Sequence, residues 1–479
     1  MMFSRKLLAL GAAAFSAAAL SAAIWPLDYE AALFQVPPAG QPEVYTSQTD
    51  VPGGTGIAFD SKNRPVIFNG ADPESFGYIS VLEDGKWVKR SFMAALEKAM
   101  NAKLEQPTIR HVQGYTRISF DAQDNLYILV AVPRKVKDGV DLNGNMVLLY
   151  SPDYGKTFHG VHTGLRPYLA GMESSTSGRV PQGPPAIYRG KTLVKSEGSG
   201  VSYPGEGLQP LTFSSENRLD VFFPQISDKG IQLGRGIWVT EKAVAICSHS
   251  GGANIGVSDG GKFYISYVEV PKDPATGGNP TFVAEIDRAT GKTVKKQFLT
   301  YATPQVSDGH SVPTMVMDSK GALTVITGSH GWSPIHPGFL AVFAKNPRDI
   351  SQWNLPSRIG NGQSYVDAVV NSKDDIFIAY RVHPQLWVQK YDRAAGKWQD
   401  PIRLLEYTPG RNPDGTCGYT VFYHHIFVDR QDNIYVKAVF NDFNTGLKGK
   451  FPLMWFVSRD GGSTWKIAQT NAMEQAITR

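Results

Sequence analysis

Apolar and polar residues alternate along most of the chain in short runs bounded by turn formers, the period-two pattern of half-buried strands. One unit recurs, a strand ending at an acidic or small polar turn and followed by a second apolar strand. Its copies are GTGIAFDSKNRPVIFNG at 54–70, YTRISFDAQDNLYILVAV at 115–132, QPLTFSSENRLDVFFPQ at 209–225 and NIGVSDGGKFYISYVEV at 254–270. They continue with VPTMVMDSKGALTVITG at 312–328, YVDAVVNSKDDIFIAYR at 365–381 and YHHIFVDRQDNIYVKAVF at 423–440. Each is followed by a further strand with its own tight turn, as in GYISVLEDGKW and LWVQKYDRAAGKW. Turns of these compositions join hairpins. Seven units predict an all-β, seven-bladed β-propeller, in which small sheets around an axis bury their faces and leave only short edges. The long amphipathic helices of a parallel α/β fold are missing, and only Phe92 to Leu104 reads as a short helix. The C-terminal KIAQT is expected as an outer strand of the last blade, and residues 45–50 as part of the ring closure.

Composition narrows the class. Gly 48 and Pro 31 in 479 residues suit many ordered turns, and two cysteines exclude a disulfide scaffold. Length alone would allow two or three domains. A repeat of about 65 residues instead makes 24–479 one domain, with the surplus in long connections at 133–150 and 160–208. Arg5 and Lys6 precede an apolar run from Leu7 to Leu20 and small residues at Ser21 to Ala23, which reads as a secretory signal over 1–23. A membrane anchor is the alternative, but Trp25, Pro26 and Asp28 end the run before a comfortable span of about 20 residues. The expected location is therefore secreted or periplasmic. Losing Arg5 and Lys6 lowers the formal charge from +5 to +3. That is too little for a nucleic-acid partner. No membrane span is expected after cleavage, and the protein is expected to be a monomer.

Two turns, Ser151-Pro-Asp153-Tyr-Gly155-Lys-Thr157-Phe158 and Ser458-Arg-Asp460-Gly-Gly462-Ser-Thr464-Trp465, fit S-x-D-x-G-x-T-aromatic. These are Asp-box (BNR-like) turns. The carboxylate accepts hydrogen bonds within its own turn, glycine permits the bend and the aromatic ring fills the space between sheets. Asp153 and Asp460 are thus structural, not catalytic acids.

Candidate chemistry gathers on three consecutive units. The fifth opens with Asp308-Gly309-His310 and runs out into Ser329-His330-Gly331-Trp332. The sixth has Tyr365 at its first strand and Arg381 at the end of its second, and the seventh carries Tyr423-His424-His425. Hairpin pairing brings His310 towards His330, and Tyr365 towards Arg381, at one rim. No persuasive pair of acids accompanies them, so the set suits proton abstraction from an acidic sugar better than two-carboxylate hydrolysis. Each residue taken singly is as readily a hydrogen-bonded structural group.

The repeats, the Asp boxes and the segment GHSVPTMVMDSKGALTVITGSHG resemble BNR-repeat seven-bladed propellers that include ulvan lyases and L-rhamnose-α-1,4-D-glucuronate lyases. The resemblance implies a polysaccharide lyase that cleaves beside a uronic acid by β-elimination. It implies His310 and His330 as the His pair, Tyr365 and Arg381 as a Tyr–Arg pair, and Tyr423 as a substrate-facing tyrosine. The His pair lies after four units here, whereas family members often carry it early. Arg381, helped by His330, would neutralise the uronate carboxylate, and His310 or Tyr365 would remove the C5 proton. A histidine does so near neutral pH, whereas tyrosine, with a pKa near 10, needs a cationic setting. The other residue, or Tyr423, would protonate the leaving oxygen. Related propellers are assigned to rhamnosidase activity, so a glycoside hydrolase and a noncatalytic carbohydrate-binding propeller stand as alternatives.

No cofactor is required by this chemistry. Cys247 and His249 before the fourth unit, and Cys417, His424 and His425 at the seventh, could hold Zn²⁺ in the channel through thiolate and imidazole. Ca²⁺ would need oxygen ligands that the sequence does not single out. Cys247, Cys417 and His425 are the metal candidates, although buried free cysteines are the ordinary alternative. His249, His424, Trp332 and His336 are further candidates for substrate contacts. Weaker cases are His111, His159, His162 and His383. The expected partner is an acidic polysaccharide or oligosaccharide.

Overall fold

The computed structural model describes residues 56–68, 77–104, 118–121, 123–136, 139–162, 192–196, 211–215, 218–223, 225–227, 230–232, 236–242, 256–259, 261–269, 279–302, 313–329, 338–383, 385–407, 419–442 and 453–468, with four two-residue strands before them. Six antiparallel sheets share one plan, four consecutive strands running side by side in chain order, and they stand as the blades of an all-β propeller. In the 56–91 sheet these strands are Gly56–Phe59, Pro65–Phe68, Tyr78–Glu83 and Lys86–Ser91. The others cover 118–162, 256–301, 314–358, 364–407 and 419–468. The strands Thr192–Ser196, Leu211–Ser215, Arg218–Phe222 and Ile237–Thr240 form a further sheet, also side by side in chain order but with the separate hairpin of Gln225–Ser227 and Gly230–Gln232 inserted before its last strand. Thr192–Ser196 pairs outside Leu211–Ser215, and among the described residues no further strand of this sheet follows Ile237–Thr240. The one described helix, Met93–Met100, lies within the expected 92–104 segment, and Asn101 ends it in the left-handed conformation. No helix among the described residues is long and apolar enough to cross a membrane.

The core lies between sheets. Val316, Ile326 and Phe339 of the 314–358 sheet meet Val366 and Ile378 of the next, while Phe377 and Leu386 meet Val421, Ile426 and Phe456. Ile57, Phe59 and Leu82 near the start of the chain pack on Phe427, Tyr435 and Trp455 near its end, so the first and last sheets are neighbours. Lys466–Ala468 is the outer strand of the last sheet, where KIAQT was expected. Among the described residues Tyr45–Thr46 pairs with Gln35–Val36, while Ile24–Trp25 adds to Ile402–Tyr407 and Tyr29–Glu30 runs parallel to Lys466–Ala468; residues 47–50 lie outside the described residues. Those outer strands present an open row of backbone groups that a short segment satisfies.

The repeated D-S-K-N-type turns also tie blade to blade. Asp60, Asp121, Asp318, Asn371 and Asp429 each accept, through Oδ1, the N–H groups two and four residues on. The residue three places after each lies in the left-handed region: Asn63, Asp124, Gly321, Asp374 and Asp432. Where that residue is aspartate, its carboxylate reaches back to the preceding turn. Asp124 accepts the Ser61 N–H and hydroxyl, Asp374 those of Ser319, and Asp432 those of Ser372. Asn63 closes the series by accepting the Arg430 N–H at 2.8 Å and donating to Asp429 at 3.2 Å.

In both S-x-D-x-G-x-T turns the serine hydroxyl donates to the aspartate and accepts the glycine N–H, and the aspartate accepts the threonine N–H and hydroxyl. Glycine is required twice over. Gly155 and Gly462 have φ of +84° and +89°, and a Cβ there would meet Ile79 at 2.5 Å and Phe377 at 2.7 Å, each on the preceding sheet.

Candidate functional site

Tyr365 and Arg381 are brought together by a bulge. In the pairing of Ser364–Val370 with Ile376–Val382, Ser364 lies opposite Arg381 and Asp367 opposite Ala379, so two residues stand against one and the register shifts between them. Tyr365 occupies the slip with φ of +60°, a left-handed backbone that a bulky side chain rarely adopts. Its ring lies under the Arg381 guanidinium, 4.4 Å from centroid to Cζ. Arg381 is only 3% exposed. A guanidinium held against an aromatic face keeps its charge with much of its hydration removed.

Two bonds from neighbouring blades hold that backbone. The Tyr365 N–H donates to the Ser329 carbonyl at 3.1 Å, at the end of the strand that runs on into His330. On the other side His424 Nε2 donates to the Tyr365 carbonyl at 2.5 Å. A carbonyl only accepts, so Nε2 carries the proton and the neutral ring is the bonded form. Burial, with a smaller contribution from Arg381, pushes the His424 imidazole down to about 4.

The strand Tyr419–Val428 is itself bulged between Phe422 and His425, and the slip turns both histidines inward. His425 Nδ1 donates to Asp367 at 3.2 Å, and the same carboxylate oxygen accepts the Ile426 N–H at 3.1 Å. His424, expected among the substrate contacts, is fully buried and bonded to the backbone of Tyr365. His425, expected as a metal ligand, spends Nδ1 on Asp367. Among the described residues no group of three or more His, Cys, Asp or Glu could hold a metal ion.

His383, two residues beyond Arg381, is half-buried, and burial together with that cation pushes it down to about 4. Lys437, opposite His425 on the next strand, is buried as well. The sequence reading missed Asp367, an acid at an inward position of an apolar strand. Its signal was the lone charge in YVDAVV. His310, His330, Trp332, His336, His249, Cys247 and Cys417 lie outside the described residues, as does the Tyr423 side chain. His159 and His162 lie on the strand His159–His162 of the 118–162 sheet, away from this rim.

The described part of the site is thus a charged, buried wall shared by two blades. A cation is pinned on a phenol ring, the phenol's backbone is fixed from both sides, and the neutral imidazole of His424 lies behind it. Such a wall can bind a carboxylate and keep a proton-transferring hydroxyl in a fixed position.

Residues 262–479 match the model of a family described as BNR repeat-containing family member. Ulvan Lyase-PL25 of Pseudoalteromonas sp. (strain PLSV) is 26% identical over 219 residues, 41% of this chain and 42% of that protein, so the match spans less than half of the relative. A polysaccharide lyase PL25 ulvan lyase solved with -[GlcA(1-4)Rha3S]- aligns at 19% identity over 47% of this chain and 56% of its own, with a TM-score of 0.37. Trypanosoma rangeli sialidase aligns at 10% identity over 79% and 57%, with a TM-score of 0.35. At these scores neither superposition equates individual residues.

Proposed function

We propose that this chain is an exported polysaccharide lyase that cleaves beside a uronic acid by β-elimination, built as a closed seven-bladed propeller. The observation that carries the reading is the Arg381 guanidinium held 4.4 Å over the ring of Tyr365, on a bulge fixed by His424. The partial likeness to an ulvan lyase supports the same class of reaction.

Elimination needs three things of a site. The uronate carboxylate must be neutralised so that charge released at C5 spreads into it, and Arg381 supplies a permanent cation for this. A base must take the C5 proton, and His310 or Tyr365 fills that role. An acid must protonate the glycosidic oxygen as the C4–O bond breaks, which falls to the other of the two or to Tyr423. The C5–H electron pair then becomes the C4–C5 double bond, and the C4–O pair leaves with the oxygen. His330 would assist Arg381 at the carboxylate.

The test is incubation with ulvan, glucuronans and rhamnose-capped arabinogalactan, followed by mass spectrometry of the products. Fragments ending in a 4,5-unsaturated uronate are expected, and loss of that product is expected in His310→Ala and Arg381→Ala. Saturated fragments carrying added water would overturn the reading in favour of a glycoside hydrolase. Full turnover by either variant would remove these residues from the mechanism.

A further inference from the structure

We infer that the outer face shared by the Ile237–Thr240 strand and the 256–301 sheet is a second carbohydrate-binding site, which holds an acidic glycan chain away from the reaction centre. That its occupant is acidic rests on the lyase reading.

Large apolar side chains are exposed in few places among the described residues. Trp238, Val294, Phe298 and Tyr301 are four of those most exposed, at 51%, 54%, 40% and 47%, and all lie on these two neighbouring strands. The strands touch, with the Thr293 hydroxyl donating to the Trp238 carbonyl at 2.7 Å. Lys296 sits between them, its Nζ 5.1 Å from the Trp238 ring. Phe298 meets Tyr301 edge-on at 5.2 Å and Phe282 at 5.6 Å, and Phe282 stacks on the buried Tyr267. The outer rings are therefore braced by a row of aromatics running into the core, which fixes their orientation before any ligand arrives.

Charge selects the occupant. Lys292, Lys295 and Lys296 line the outermost strand, and lysine on an edge strand opposes pairing with another sheet. A second copy of the chain docking edge to edge is therefore disfavoured. Lys242 adds a positive charge near Lys296; of the acids close by, Glu269 already accepts the Thr240 hydroxyl at 2.8 Å and Asp349 is paired with Lys295 at 3.4 Å, which leaves Lys296 and Lys242 to meet an anion. Partial burial lowers the Lys296 pKa, so its ammonium is incompletely hydrated and gains from an anionic partner. Flat aromatic faces with ammonium groups beside them match a sugar chain whose apolar ring faces alternate with carboxylates.

Affinity electrophoresis through gels containing glucuronan or ulvan, with a neutral glucan as control, tests this in the cold, where turnover is slow. The wild type should be retarded by the acidic polysaccharides. Trp238→Ala and Lys296→Glu should each weaken that retardation at least about fivefold, Trp238→Phe should restore most of it, and none should change the rate on a short uronate oligosaccharide. Equal retardation of wild type and variants, or none for the wild type, overturns the second site. Retardation that the variants lose, with no unsaturated product formed, supports the outer-face site while overturning the lyase reading.

Discussion

Tyr365 adopts a backbone that costs a bulky L-residue about 1–2 kcal/mol, and it does so because its N–H and carbonyl are both claimed from adjacent blades. His424 is the partner that can be removed without touching the phenol. His424→Ala should leave the bulge held from one side only. Elimination should slow by about 10–100-fold with a smaller change in KM, and His424→Gln, which can still donate to the carbonyl, should recover part of the rate. The same residue makes stability depend on pH. In the unfolded chain His424 takes a proton near 6.5, whereas in the folded chain it stays neutral to about 4. Between those values the unfolded state binds more protons, so stability is complete above 6.5 and falls as pH drops towards 4. This histidine contributes about 3 kcal/mol to that loss at the acid end, and His383 acts in the same direction. Denaturant midpoints at pH 7 and pH 4.5 should therefore differ less for His424→Gln than for the wild type.

At the scale of the element, the turns do more than reverse the chain. Asp374 combines a φ of +65° with a carboxylate that holds two donors of Ser319. Asp374→Gly keeps the backbone and loses the tie, and should cost about 1–2 kcal/mol in urea unfolding. Asp374→Ala loses the tie and also strains the left-handed position, so it should cost about 1 kcal/mol more. Asp374→Asn keeps the backbone and one acceptor, and should be the mildest of the three. Strands and turns were readable because side-chain alternation and turn chemistry are local. The tie was not, since Ser319 and Asp374 are 55 residues apart and nothing within either turn names its partner. Bulges fall in the same class. YVDAVV and YHHIFV read as regular alternation, yet a slip of one residue put Tyr365 in the left-handed region and sent His424 and His425 inward.

For the whole molecule the sequence reading named the all-β propeller and expected Tyr365 to meet Arg381, because hairpin ends meet whatever the details of packing. It could not rank His424 as a positioning group or find Asp367, because both depend on how one blade faces the next. That same facing closes the ring, with Asn63 of the first sheet bonded to Asp429 and Arg430 of the last. Asn63→Gly keeps the left-handed turn and deletes this latch. Hydrogen exchange should rise selectively in 56–68 and 419–468 while the 364–407 sheet stays protected, and a uniform rise would show that the latch does not act locally.

The central claim, that the Tyr365–Arg381 wall performs elimination, is tested most directly by the ultraviolet absorbance of the new C4–C5 double bond. Wild type and Tyr365→Phe would be followed side by side on a uronate polysaccharide. The account predicts a steady rise for the wild type and a rate at least about 100-fold lower for the variant, whose unfolding midpoint is unchanged. New reducing ends without any rise in absorbance, or equal rates for the two proteins, would contradict it.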